Sequence, residues 1–274
     1  MYMITLTDKE FLDIVQFVKS NYGIDLTKKR SLIEARMFSV LQEKGLTSFS
    51  QYFELIKKKD SLEITAMINK LTTNHTYFLR ESAHFDFLKQ IILPGITRDS
   101  NRREIRIWSA GCSSGEEAYT TVMTIEEFLG LKKNQWDYRL LATDISHRVM
   151  NKAMEGIYSP ESLEKLPAAW QTRYFTKQTD GNYLLKPEIR DQVIFKYFNL
   201  MDRFPYGKPF DVIFCRNVMI YFDQDTKNAL IQKFYEVLKP GGYLFIGHSE
   251  TVRRDKTPFE YIQPSIYRKG GYTA

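Results

Sequence analysis

Two carboxylates placed directly after a glycine turn are the first residues of this chain that could do chemistry. In the stretch 104–120, EIRIWSAGCSSGEEAYT, Gly111 and Gly115 bracket a run of small residues, and Glu116 and Glu117 follow at once. Small residues let a ligand come close to the backbone. A dinucleotide site, however, wants G-x-G-x-x-G and bare helix amides facing a pyrophosphate. Two negative charges at that place repel phosphate and attract a cation. The same residues also suit an ordinary strand-to-helix turn whose glutamates favour the helix N-terminus.

A ligand with positive charge and no phosphate fits the first of these readings, and S-adenosylmethionine, with its sulfonium and α-ammonium, is one. One further place could serve such a ligand. Asp144 ends a strand-like run, Tyr138 to Thr143, where an acid can hold a ribose diol. It lies 29 residues beyond Gly115, further than the usual fingerprint spacing, and could equally cap the helix that follows. The connector TTNHTYFLRES, residues 72–82, packs Asn74, Thr76, Tyr77, Phe78 and Arg80 into seven positions, richer than a plain linker requires.

The elements that must position these residues follow from periodicity. Thr7-Asp8-Lys9-Glu10 is a capping box, with Phe11, Ile14, Val15, Val18 and Tyr22 on one helical face and Gly23 as a stop. A second helix is expected from about 28 to 44, its apolar face Leu32, Ala35, Phe38 and Leu41. Lys28, Lys29, Arg30, Arg36 and Lys44 outnumber its acids and form a basic edge. Two short serine-capped helices near 48–58 and 61–72 complete a helical domain at 1–75. After a linker at 76–92, residues 93–274 alternate strand and helix: 105–108, 138–143, 193–198, 210–215 and 243–247 read as strands, with a last one near 265–268. Residues 156–191 break this rhythm. The Asp180-Gly181 turn signal there predicts a β-hairpin in a small inserted β-subdomain. The fold class is therefore α/β, a doubly wound Rossmann-like domain preceded by a small all-α domain.

Composition bounds the class of protein. The chain has 274 residues, 43% hydrophobic and 26% charged, as globular proteins do, and a mild formal charge of +6 that suits either nucleic acid or an acidic protein surface. Two cysteines and four scattered histidines provide neither a CxxC cluster nor an HExxH pair, so no metal site is expected. The opening MYMITLTDKE lacks a secretion-signal pattern, and no 18-residue apolar run is present, so a cytoplasmic location without membrane insertion is expected.

Taken together, TTNHTYFLRE (72–81), IWSAGCSSGEEAYT (107–120), ATDIS (142–146), FNL (198–200), FDVIFCRNVMIYFD (210–223) and LKPGGYLFIGHSE (238–250) resemble the CheR family of chemotaxis receptor glutamate O-methyltransferases. The motifs come in the family's order and span essentially the whole chain. The resemblance implies S-adenosylmethionine as methyl donor, S-adenosylhomocysteine as product, and the cytoplasmic helical bundles of chemoreceptors as partners. It implies that Asn74, Thr76, Arg80, Glu117, Asp144, Asn199, Leu200, Arg216 and Asn217 surround the cofactor, and that Arg80 and Tyr221 face the methyl-transfer site. Glu117 is then the partner expected for the methionine ammonium, and Glu116 serves the helix end. Lys28, Lys29, Arg30 and Arg36 become candidates for binding the glutamate-rich substrate. Two departures from the family pattern stand out. Phe78-Leu79 replaces a common phenylalanine pair, and the hairpin turn 176–182 is short beside members that dock a receptor's tethering peptide, which counts against tether docking here.

The acceptor chemistry agrees with this site. A glutamate side chain, with a pKa of about 4.3, is already a nucleophile at neutral pH and needs no activating pair. What it needs is desolvation and alignment with the methyl–sulfur bond. Arg80 is expected to orient the anion without neutralising it, and the Tyr221 hydroxyl to position it. Three competing readings are weaker. A nucleic-acid methyltransferase of the amino-directed kind carries Asp/Asn-Pro-Pro-Tyr/Phe, where this chain has Asn217-Val218-Met219-Ile220-Tyr221. A non-catalytic S-adenosylmethionine sensor is expected to lose Arg80 or Tyr221, and a dehydrogenase needs the absent G-x-G-x-x-G.

Overall fold

The computed structural model describes residues 4–57, 61–99, 101–205 and 207–271. Lys58, the expected end of the third helix, lies outside them. So do the terminal residues 1 and 274 of the expected domains, and the side chain of Ser61, the expected cap of the fourth helix. The chain divides into two compact units: residues 1–74 with 221–227, and residues 75–220 with 228–274.

In the first unit, α1 (Asp8–Tyr22) begins as the sequence dictates. Thr7 and Glu10 close a reciprocal capping box, and Gly23 ends the helix in the left-handed region at φ 71°. The other Glu10 oxygen accepts from the Ser50 N–H and hydroxyl at 2.6 and 2.7 Å, so one carboxylate starts α1 and pins the first turn of α3. The remaining helices are α2 (Arg30–Glu43), α3 (Phe49–Lys57) and α4 (Ser61–Leu71). The buried face of α2 differs from expectation. Ile33, Met37, Val40 and Leu41 are buried, whereas Leu32 and Phe38 are half-buried and Ala35 is exposed. Apolar residues surround much of this helix, so periodicity alone could not choose the stripe. Residues 221–227 join the same unit through an Ile24–Phe222 antiparallel bridge, an Asp25 N–H to Tyr221 carbonyl bond of 2.7 Å, and a Lys19–Asp223 ion pair of 2.6 Å.

The second unit starts at His75, one residue before the stretch expected as a linker, and includes that stretch. α5 (Ala83–Phe87) runs through a π turn at Leu88–Ile92 into α6 (Leu93–Thr97), extending the helix expected at 83–92. The widened turn comes just before Pro94, which lacks the N–H and crowds the preceding carbonyls of a regular helix. Then follow β1 (Ile107–Ala110), α7 (Glu116–Leu129), β2 (Leu140–Asp144), α8 (His147–Glu155), β3 (Ile157–Tyr158), α9 (Pro160–Leu163), α10 (Ala168–Tyr174), β4 (Phe175–Lys177), β5 (Tyr183–Leu185), α11 (Pro187–Arg190), β6 (Val193–Tyr197), β7 (Phe210–Cys215), α12 (Gln224–Val237), β8 (Leu238–Ile246), β9 (Phe259–Gln263) and β10 (Ile266–Lys269).

Seven strands form one sheet in the order β6-β2-β1-β7-β8-β10-β9, parallel from β6 to β8, with β10 antiparallel to both of its neighbours. The parallel strands step outward from β1 to β6, then resume at β7 on the other side of β1. That reversal is the topological switch point of a doubly wound sheet, where ligands bind at the carboxyl ends of the strands. β3, β5 and β4 make the small antiparallel sheet of the insertion, with the expected hairpin closed at Gly181. β9 has no counterpart among the expected strands; its run Phe259–Gln263 lies between Pro258 and Pro264, after a charged stretch, and carries little apolar alternation. The core is aromatic. Trp108 on β1 is fully buried, donates to the Thr143 hydroxyl at 2.9 Å, and meets Phe198, Phe204, Phe210 and Phe234.

Candidate active site at the switch point

β1 and β7 flank the switch point, and both discharge into predicted motifs. After β1, Gly111 and Gly115 take φ of 92° and 94°, closed to ordinary side chains. A Cβ on Gly115 would also lie 2.9 Å from that of Ala153, and one on Gly111 would drive into Val218. Both glycines are thus required by internal packing, which fixes the loop between β1 and α7 in one conformation. Ser113, between the glycines, has φ 50°. Its N–H donates to Asp144 Oδ2 at 2.8 Å, while Oδ1 accepts from the Ser146 N–H at 2.9 Å. Asp144 is therefore not the helix cap. Ser146 caps α8, and Asp144 ties the end of β2 to the glycine loop. Burial pushes its carboxyl above the usual range, against the pull of those two N–H groups.

After β7, Arg216 organises the other wall. Its side chain is 2% exposed and divides its donors between two carboxylates: Nη1 to Glu117 Oε2 at 3.1 Å, and Nε and Nη2 to Glu81 Oε2 at 3.2 and 3.1 Å. Nη2 also donates to the Arg80 carbonyl. Glu117 accepts in addition from the Ser109 hydroxyl at 2.6 Å, and Glu81 from the His248 N–H at 3.1 Å. Two carboxylates share one guanidinium, so this buried group carries a net negative charge suited to a cation. Burial raises the Glu117 carboxyl in spite of Arg216. At Glu81 burial acts the same way, but Arg216 and the His248 N–H outweigh it and hold the group below the usual range.

Backbone strain concentrates in these segments. Five described non-glycine residues have positive φ, and four of them are Leu79, Glu81, Ser113 and Asn217. Such conformations cost about 1–3 kcal/mol each and persist where surrounding contacts impose them. Leu79 and Glu81 flank Arg80. The Asn217 conformation is imposed by Glu250, whose carboxylate accepts from the N–H groups of Asn217 (2.8 Å), Gly247 (2.6 Å) and Ile220 (3.2 Å).

Of the residues expected from the sequence, the second unit joins Arg80, Glu117 and Arg216 directly, with Asn217 next in the chain and Asp144 on the glycine loop. The Arg80 guanidinium donates to the His75 carbonyl at 2.6 Å and sits 5.8 Å from the Tyr77 ring. Thr76 is half-buried in the same segment. Asn199 turns the chain after β6 by accepting from the Met201 N–H at 3.0 Å, and Leu200 is buried beside it. Glu116 is the first residue of α7, the helix end expected of it, and there it is 3% exposed, bonded by the Ser114 hydroxyl and raised by burial.

Asn74 and Tyr221 belong to the first unit. There the Tyr221 hydroxyl donates to the Thr73 carbonyl at 3.1 Å. Two of the basic residues expected to meet substrate are committed to the fold. Arg36 donates to the carbonyls of Lys70 and Thr72 and to the Thr73 hydroxyl, capping α4, and Arg30 pairs with Asp8 and Glu34. Lys28 and Lys29 are exposed.

Sequence reasoning missed Glu81, Ser109 and Glu250 as site residues, although Glu81 directly follows Arg80 in its motif. It also missed that the fold brings His84 and His248 to Glu81, three groups with metal-ligating atoms within 4.8 Å of one another. Arg216 already holds the carboxylate of that trio. His84 is buried, and burial together with Arg216 pushes its pKa down to about 3.

A doubly wound sheet whose switch point carries a glycine loop and a carboxylate-rich cluster suits a cationic cofactor such as S-adenosylmethionine. Residues 9–72 match the family model described as CheR methyltransferase, all-alpha domain, and residues 74–268 match CheR methyltransferase, SAM binding domain. A chemotaxis protein methyltransferase of Borreliella burgdorferi is 46% identical over 272 residues, covering 97% of this chain and 96% of its own. One from Escherichia coli is 38% identical, covering 96% and 92%, and chemotaxis protein methyltransferase 2 of Vibrio cholerae is 38% identical, covering 94% and 91%. The chain belongs to the CheR methyltransferase family and binds S-adenosylmethionine.

Proposed function

We propose that this protein methylates glutamate side chains of chemoreceptor cytoplasmic domains, forming glutamate methyl esters in the cytoplasm. The observation that carries the reading is the state of Arg80. Strained neighbours and the Arg216 bond to its carbonyl fix its backbone, while its guanidinium rests on a neutral carbonyl. Among the described residues no carboxylate lies within ion-pair distance of that guanidinium. A fixed cation without an internal counterion is suited to an anionic acceptor. That no described helix is long and apolar enough to cross a membrane is consistent with the proposed location.

When bound, S-adenosylmethionine supplies an electrophilic methyl group. The residues named here would hold it: Glu117 and the net negative Arg216 cluster toward its positive charges, Asp144 toward the ribose hydroxyls, Asn199, Leu200 and Asn217 along the strand ends, and Asn74 and Thr76 from the connecting segment. Arg80 orients the acceptor carboxylate and weakens its hydration, and Tyr221 positions it through its hydroxyl. No proton has to be removed, because the acceptor is ionised at neutral pH.

The test is to incubate the protein with methyl-labelled S-adenosylmethionine and receptor cytoplasmic fragments. Base-labile methyl esters are expected, with turnover at saturating cofactor down about 100-fold or more in Arg80→Ala. Label recovered only in base-stable linkages or in nucleic acid, or full turnover by Arg80→Ala, would sink the proposal.

A further inference from the structure

Outside every motif, a second cation shares the ring on which Arg80 rests. Lys165 Nζ lies 3.7 Å from the Tyr77 ring centroid, and the Arg80 guanidinium lies 5.8 Å from the same centroid. We infer that Lys165 is an acceptor-binding cation that takes a second carboxylate of the substrate segment, leaving Arg80 for the reacting one. The inference rests on the acidic-acceptor reading above.

Lys165 is exposed, but its backbone is fixed. It lies between buried Leu163 and Leu166, and the Gln171 amide donates to the carbonyls of both, at 3.0 and 2.9 Å. The Leu166 N–H closes the turn onto the Leu163 carbonyl at 2.9 Å. The Lys165 Cα is therefore presented from a rigid turn, and the Tyr77 ring is the contact that directs its ammonium. Two like charges on one ring repel each other, and the ring quadrupole offsets that only in part. Among the described residues neither has a carboxylate within ion-pair distance. The arrangement lacks an anion, and an acidic segment would supply it.

The chemistry also says which anion. A carboxylate clamped by two cations is a poor nucleophile, because each ion pair stabilises its charge before transfer. The second cation is better matched to a neighbouring carboxylate of the same segment, about one helical turn away. The site then favours glutamates that have an acidic neighbour over isolated ones.

A double-mutant cycle tests this, with two helical receptor peptides as acceptors: one carrying a glutamate one turn from the methylated position, the other carrying glutamine there. Lys165→Met keeps an unbranched side chain on Tyr77 and removes the charge. It is expected to raise KM for the first peptide about 3- to 5-fold at nearly constant kcat and cofactor affinity. That loss should shrink with the second peptide, and Lys165→Arg should restore the wild-type value. Loss of equal size on both peptides, or failure of Lys165→Arg to rescue, would leave Lys165 a structural residue and overturn the inference. An active wild type matched by Lys165→Met on both peptides overturns it too, with the glutamate reading intact. A wild type that forms no base-labile ester on either peptide defeats the glutamate reading itself and this inference with it.

Discussion

The surroundings of Arg216 and those of Tyr77 solve opposite electrostatic problems within one unit. Around Arg216 a single buried guanidinium is held by two carboxylates, and every listener to its charge is internal. Around Tyr77 two cations, Arg80 and Lys165, lean on one aromatic ring, and the described residues offer them no carboxylate. The first group has negative charge to spare and is mostly buried, its carboxylates 11% and 13% exposed; the second has positive charge to spare, and Lys165 is exposed. The methyl transfer to a carboxylate proposed above would use both, negative charge beside the donor and positive charge beside the acceptor.

The largest expected effect comes from breaking the closed group. Replacing Arg216 by methionine leaves Glu81 and Glu117 as neighbouring buried carboxylates without their shared cation, and removes the donor to the Arg80 carbonyl. Loss of one partner of a buried ion pair typically costs about 3–5 kcal/mol. Urea unfolding should show a loss of that size, and cofactor binding should fall below detection by titration calorimetry. Arg216→Lys keeps the charge but cannot span both carboxylates, so it should recover part of the stability and little of the affinity. A stable Arg216→Met variant with normal affinity would refute the view of this group as the donor-side anchor.

The contrast also separates what the sequence could reveal from what it could not. Features resolved within a few residues were legible: the Thr7–Glu10 box, the Gly23 stop, the glycine loop after β1 and the Asp180-Gly181 hairpin. So was the doubly wound class, because strand and helix patterns alternate along the chain. Partners remote in sequence were not. Glu81 meets Arg216 across 135 positions, and Glu250 fixes the conformation of Asn217 from 33 positions away. Both end quoted motifs, but no local spacing says which remote residue each will meet. On α2, likewise, a charge count along the helix cannot tell that Arg36 ends on the Lys70 and Thr72 carbonyls.

A smaller effect is expected where the closed group meets pH. Burial raises Glu117, whereas Glu81 is held low by Arg216 after burial has acted against it. On acidification Glu117 is therefore the first of the pair to be protonated, at a pH above the ordinary carboxylate range of about 4.3. The pocket then loses its surplus negative charge, so cofactor affinity should fall as pH drops through that window. Glu117→Gln should bind about 10-fold more weakly at neutral pH and lose most of the pH dependence. The slope that remains would report Asp144, which burial also raises. Isothermal titrations across pH check this, and identical pH profiles for the two proteins would contradict the assignment.

The smallest effect distinguishes the two kinds of cation on α2. Arg36 donates to two carbonyls and a hydroxyl around Lys70, Thr72 and Thr73, and Thr73 also accepts the Tyr221 hydroxyl through its carbonyl. Arg36→Ala should cost about 1–2 kcal/mol in urea unfolding, a value set by lost hydrogen bonds to a charged group. Lys28 and Lys29 are exposed, so their joint replacement by alanine should leave stability unchanged within about 0.5 kcal/mol. If they help steer an acidic substrate, that replacement should flatten the fall of kcat/KM with rising salt. A flat salt response in the wild type would mean that these lysines are a solvated face only, and would leave Arg80 and Lys165 as the whole positive side of the comparison.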